Sequence, residues 1–369
     1  MPPVKRKFLK YRLPLLLAVL TVIFLSLLLF VIGLMRPAVN FISETKISPF
    51  TLVSLLLEKT PRIKITDNRT NFVILGISGG NHAGSTLTDS IIFGSIDFTK
   101  KEVLLVSIPR DVWLPSLKTK INSSFYYGEK KKKGGGLILA KSSVSEVVGK
   151  PVSYGFILDF EAFRKVIDLI GGIEINVNAP FEDKLFPIAG KENDNCGGSD
   201  PEFTCRYETV RFEKGVQNMD GALALKFVRS RGSLDNGQGN DFSRSQRQQL
   251  VITAIAKKIK STVSLKNIGL FKKIYSTVYD SLTTDMSFAE MMSLGKFLYF
   301  NQDISARHLV LDTGDLSKDI PGLLVNPPLW QYDGIWVLAP RSGTFEEIHE
   351  FISCNLKNDS CSIIKQPDL

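Results

Sequence analysis

The sequence predicts an α/β fold, a layered sheet whose strands alternate with helices, set behind one transmembrane helix. Three observations lead there. Short β-branched runs bounded by turn formers recur between Asn71 and Asn178, stretches of helical period separate and follow them, and an uncharged run stands at Leu13–Met35. With 369 residues and 44% hydrophobic content the chain can bury a sizeable core in one large domain or two modest ones.

The elements follow in chain order. Lys5, Arg6, Lys7, Lys10 and Arg12 precede the apolar run, while only Arg36 and Lys46 follow it closely. The run exceeds the about 20 apolar residues that a bilayer core needs, and its basic flank puts residues 1–12 in the cytoplasm and everything after the span of 13–35 outside. A cleaved signal peptide is disfavoured by the length of the run and by the lack of a small-residue cleavage site. Pro37, Pro49 and Pro61 mark residues 36–68 as a membrane-proximal stalk with one helix near 50–59. NFVILGI (71–77), DSIIFGSID (89–97) and EVLLVSI (102–108) read as strands, 137–148 as a helix, 153–159 as a strand, 161–170 as a helix and 172–178 as a strand. Helical spacing returns at 220–228, 243–260, 266–281 and 287–300. Strands near 308–312 and 335–339 and a helix over 345–354 end the chain. The run EKKKKGGG at 129–136 reads as a solvated loop.

Four cysteines stand in two local pairs, Cys196 with Cys205 and Cys354 with Cys361, and suit two disulfides in an oxidising compartment. Zinc is the weaker reading, since neither pair has CxxC spacing and His82, His308 and His349 are the only histidines. The net charge of +9 suits an anionic partner, and export makes lipids or cell-wall polymers better candidates than nucleic acid.

The charges that carry chemistry fall in two places. Arg229, Arg231, Arg244 and Arg247 stand on either side of the glycine-rich loop 232–240, and such crowding of guanidinium groups makes sense around a phosphate or pyrophosphate. Arg244, Arg247 and Gln248 share a helical face, and Asp241 or Ser243 caps that helix. In SIPRD (107–111) Arg110 and Asp111 emerge at a strand end, with Asp89 opening the neighbouring strand and Lys120 close behind. Alone, each charge reads as a plain surface ion pair. Together, acids and arginines suggest phosphoryl chemistry assisted by Mg²⁺. Gly76-Ile77-Ser78-Gly79-Gly80 fits GxSxG, but a nucleophile elbow needs a helix straight after the serine and NHAGSTLTD is a poor helix former. A glycine turn wrapping an anion is the better reading.

With these motifs in view, the chain resembles the LytR-CpsA-Psr family of membrane-anchored cell-wall ligases over about 71–259. SIPRD, KINSSF, FEAFRKVIDLIGGIEINV, KGVQNMDGALALKFVRSR and DFSRSQRQQ come in the family's order. The resemblance implies a three-layer α/β/α sandwich around a mixed sheet, assigned here to 69–262, with 263–369 as an extracytoplasmic extension. It also implies a phosphotransferase that moves a glycopolymer from a polyprenyl-pyrophosphate carrier onto a cell-wall acceptor such as peptidoglycan. Arg110, Lys120, Arg229, Arg231, Arg244 and Gln248 fall where the family holds the pyrophosphate, with Arg247 beside them, and Asp89 falls where it binds Mg²⁺. Leu87 and Ser78 depart from the family's Arg and Asp, and Asn81, His82 or Asp241 are the residues available to compensate at the metal. Asp111 is the candidate to orient or deprotonate the acceptor hydroxyl. Apolar faces in 137–148, 161–170 and 250–259 serve either as ordinary core or as walls for an isoprenoid chain. Two other functions fit the same charges: a non-catalytic envelope protein holding anionic polymer, and a hydrolase acting on the lipid pyrophosphate.

Overall fold

The computed structural model describes residues 63–80, 84–191, 193–198, 200–262, 282–301, 303–315, 320–357 and 361. The expected transmembrane run, residues 36–62 of the expected stalk and the helix at 266–281 lie outside these residues, as do Asn81 and His82. Among the described residues no helix is long and apolar enough to cross a membrane. The chain divides into two units, Ile63–Ser287 with Lys296–Leu369, and Met1–Arg62 with Phe288–Gly295.

Six strands form the central sheet, which lies apart from the short ribbon of β4 (Trp113–Leu114) and β5 (Thr119–Lys120), and their spatial order is 282–284, 154–159, 69–77, 88–97, 102–107 and 305–310. They are β1 (Arg69–Ile77), β2 (Thr88–Asp97), β3 (Glu102–Ser107), β6 (Tyr154–Asp159), β11 (Leu282–Thr284) and β12 (Ser305–Val310). The sheet is mixed: β1 pairs antiparallel with β2 and parallel with β6, and β3 pairs antiparallel with β2 and parallel with β12. Strands buried on both faces read as near-continuous apolar runs, which is why β1, β2 and β3 were legible. One face packs Val73, Leu75, Phe93 and Val106 against α2 (Gly135–Val148) and α7 (Glu346–Lys357), through Val144, Val147, Phe351 and Ile352. The other face looks towards α3 (Phe160–Leu169), α4 (Gly221–Arg229) and α5 (Asp241–Thr262), which share a second core around Ile167, Phe227 and Val251.

The structure departs from the sequence reading in four places. The strand at 173–177, β7, stays out of the central sheet and pairs with β10 (Gly215–Met219), because its alternation buries Ile173, Ile175 and Val177 and exposes the residues between them. A further ribbon, β8 (Phe181–Pro187) with β9 (Tyr207–Phe212), was hidden by the charged run Glu182–Lys184 and by Glu208 and Arg211. The lysine run is half helix: α1 (Ser124–Lys131) takes Glu129–Lys131, and Glu129 then accepts from the amides of Gly134 (3.0 Å) and Gly136 (3.2 Å) to turn the chain into α2. Gly128 is required there, since a Cβ on it would sit 2.5 Å from Gly135 O. The strand near 335–339 shrinks to Ala339–Pro340, while residues beyond 262 return to the central sheet as β11 and β12 at its two edges. α6 spans Phe288–Phe300, and both cysteine pairs, Cys196–Cys205 and Cys354–Cys361, are disulfides.

Candidate active site

Strand direction decides which residues meet. Because β2 runs against β1 and β3 while β6 runs with β1, the start of β2 lies beside the ends of β1, β3 and β6. Gly76, Asp89, Arg110 and Asp159 therefore gather at one sheet edge, where ligands bind in open α/β sheets. A register shift singles out Asp89. Gly76 faces Ser90 and Ile77 faces Thr88, so Asp89 is the extra residue of a bulge, a device that re-aims side chains beside active sites.

Asp89 looks into a cavity of about 870 Å³. Its walls are apolar: Ile74 and Ile92 from the sheet, Phe160 and Phe163 from α3, Leu225 and Val228 from α4, Phe242 and Ile252 from α5. Its charged lining is Asp89, Asp159, Asp183, Arg110, Arg229, Arg231 and Arg244, and Gln248 joins them. Arg110 Nη1 donates to Asp89 Oδ1 at 2.6 Å and Arg244 Nη2 to Asp89 O at 3.2 Å. Ser90 Oγ donates to Gln248 Oε1 at 2.7 Å, so α5 is tied to β2 along the lining. Arg229 stacks over Phe160, 4.5 Å from the ring centroid, which keeps its charge against the apolar wall. The arrangement brings four arginines and an apolar wall into one lining, a combination that suits a ligand with both an anionic and an apolar part.

Three expected site residues stand outside the cavity lining, Asp111, Lys120 and Arg247. Asp111 is 7% exposed and holds Lys120 Nζ at 2.7 Å on one oxygen and Arg110 Nε at 3.5 Å on the other. These ion pairs set Asp111 beside Arg110, and neither Asp111 nor Lys120 lines the cavity. Arg247 does not share the face of Arg244 and Gln248. It is 3% exposed and donates to the carbonyls of Phe227 (2.9 Å), Ser230 and Gln238 (3.0 Å), clamping the glycine-rich loop to the end of α4. Burial and then Arg244 push its guanidinium down to about 10, which leaves it charged at neutral pH.

Asp159 and Asp183 escaped the sequence reading. Asp159 caps α3 through the Ala162 amide at 2.7 Å and lines the cavity. The strand-to-helix step in FILDFEAF was the signal for it. Asp183 sits on β8, remote in sequence, yet accepts from Ser230 Oγ (2.6 Å) and from the amides of Arg231 (2.9 Å) and Gly232 (3.0 Å). No local pattern reveals such a partner. Burial alone raises the Asp183 carboxyl, but the Ser230 hydroxyl and the Gly232, Arg231 and Leu185 amides outweigh it and hold it below its ordinary 3.8. The depressed folded-state value means that this stabilisation is present above about pH 4 and is lost as pH falls through the folded value. Thermal unfolding followed from pH 6 to pH 3 is therefore expected to fall more steeply in the wild type than in Asp183→Asn, which starts less stable.

The metal expectation rests on the cavity carboxylates. Among the described residues the one group of three or more candidate ligands is Asp194, Cys196 and Cys205, whose cysteines are disulfide-bonded. Asp89 and Asp159 form no closed protein cage, but one or two carboxylates suit Mg²⁺ that takes its other ligands from phosphate and water. The Asp241 side chain, Asn81 and His82 lie outside the described residues. Among the described residues no helix follows Ser78 before β2. His308 meets Thr253 Oγ1 and His349 meets Glu146 O, so no elbow forms.

Comparison with known proteins places the chain. A family model described as LytR_cpsA_psr matches residues 51–314. A curated relative from Enterococcus faecalis, polyisoprenyl-teichoic acid–peptidoglycan teichoic acid transferase TagU, is 24% identical over 60% of this chain and 63% of its own. TagU from Bacillus licheniformis is 28% identical over 59% of this chain and 62% of its own. The chain thus spans about three-fifths of the length of these relatives. The crystal structure of Bacillus subtilis TagV superposes with a TM-score of 0.54 at 21% identity, covering 79% of this chain and 99% of that one. A structure titled TagT bound to LIIa-WTA gives 0.54 at 22% identity over 80% of this chain and 95% of that one.

Proposed function

The chain belongs to the LytR-CpsA-Psr family, and from that premise we propose that it transfers a glycopolymer phosphate from a polyprenyl-pyrophosphate carrier onto a hydroxyl of peptidoglycan. The observation that carries this reading is the union of Arg110, Arg229, Arg231 and Arg244 with an apolar cavity in one lining. The arginines bind the pyrophosphate and the cavity takes the isoprenoid chain. The hydroxyl attacks the phosphorus that bears the glycan, a new P–O bond forms, the bridging P–O bond breaks, and polyprenyl phosphate leaves. Such transition states are loose, so charge stabilisation by positioned arginines supplies most of the rate. The acceptor proton passes to the cavity-facing carboxylate of Asp159.

Asp89, with Asp159 nearby, is where Mg²⁺ would be held beside the phosphate oxygens, and its chemistry when bound is to neutralise phosphate charge. Residues 13–35 serve as the membrane anchor that brings the site to a lipid-borne donor, with residues after Arg36 outside the cell. Product analysis tests the reaction. Incubation of the full chain with lipid-linked glycan and peptidoglycan is expected to join glycan to peptidoglycan through a phosphodiester, whereas free glycan phosphate without adduct would identify a hydrolase.

A further inference from the structure

The family match ends at residue 314, yet the chain returns to the site after that point. Leu324–Val325 pair antiparallel with Ala339–Pro340, closing 324–340 into an excursion of its own. Its returning arm is joined to the segment that carries Arg110. Leu338 N donates to Asp111 O at 2.9 Å, and Trp113 N donates to Leu338 O at 2.8 Å. Two residues before Leu338, Trp336 lines the same cavity as Arg110 and Asp89.

Trp336 is 44% exposed but held in place. With the Asn326 amide turned so that both its ends find partners, Asn326 accepts from Trp336 Nε1 at 2.6 Å and donates to Val337 O at 3.2 Å. Lys120 Nζ lies over the indole, 5.8 Å from its centroid. The loop beneath is braced too, since Trp113 packs edge-on against Tyr332 at 5.1 Å between centroids. An indole fixed at its polar edge, half-open to water and flanked by charged donors and acceptors matches one ligand class closely. A pyranose offers a flat C–H face for the ring and hydroxyls for the groups around it.

We propose that Trp336 is the stacking platform for the sugar bonded to the pyrophosphate of the donor. The assignment rests on the transferase reading above, which puts the pyrophosphate on Arg110; the adjoining sugar then meets the neighbouring indole. Residues outside the family match would in this way set which glycan is accepted.

The test titrates the full-length chain with polyprenyl pyrophosphate and with the same lipid carrying N-acetylglucosamine. Trp336→Ala is expected to weaken the sugar-bearing lipid by about tenfold and leave the sugar-free lipid unchanged, with Trp336→Phe recovering most of the loss. Equal loss for both lipids, or no loss for either, overturns the platform. A rise confined to the KM of the acceptor glycan overturns it as well, moving the indole to the acceptor side. Wild-type protein that binds the bare lipid but gains nothing from the sugar defeats this assignment alone, while wild-type protein that binds neither lipid defeats the transferase reading with it.

Discussion

Replacing Arg244 with alanine is expected to lower transfer to peptidoglycan by about 100- to 1,000-fold, the range seen when one preorganised donor is removed from a charged transition state. The side chain is 6% exposed, lines the cavity and donates to Asp89 O, so its charge acts in a place where little water screens it. Substrate binding should fall less than turnover, because the charge on the transferring phosphoryl group grows beyond that of the ground state. Arg244→Lys should recover only part of the rate, since an ammonium cannot reproduce two parallel N–H bonds. The check is kcat/KM measured beside thermal unfolding, so that a loss of fold is not read as a loss of chemistry.

Arg247→Ala is expected to act through stability. The substitution strips the carbonyls of Phe227, Ser230 and Gln238 of their donor and removes a cation stacked 4.7 Å from the Phe181 centroid. Charge-assisted hydrogen bonds contribute about 1.5–3 kcal/mol each, and the loss of this cluster should cost about 3–5 kcal/mol after relaxation. At about 1–2 °C per kcal/mol for a chain of 369 residues, the midpoint should fall by roughly 3–10 °C. Lysine should not rescue it, since one ammonium cannot reach acceptors from α4 and from the loop together. Arg231, whose backbone is held by Asp183, should lose its place as the loop loosens, so lipid binding falls with stability.

The contrast between Arg244 and Arg247 shows where the sequence was legible. Periodicity placed both on one helix, but three residues and four residues along a helix differ by enough rotation to send one side chain into the cavity and the other into the core. Gln248, four residues from Arg244, shared its direction. The central strands were plain because double-sided burial writes itself as apolar runs, and the SIPRD edge was plain because a proline ended its strand. Asp183 was not plain, since its partners lie nearly fifty positions away. Trp336 was invisible for a related reason: its site depends on Leu338 bridging Asp111 and Trp113, which only the folded chain brings together.

The account turns on a lipid pyrophosphate held by arginines with its chain in the cavity. Native mass spectrometry of the full-length protein with polyprenyl pyrophosphate, beside Arg244→Ala of matched thermal stability, tests it most directly. One lipid bound per wild-type chain, weakened at least tenfold in the variant, is the expected result. A folded wild type that binds no lipid, or a variant that binds it equally well, would contradict the account and leave the arginines to a soluble anionic polymer.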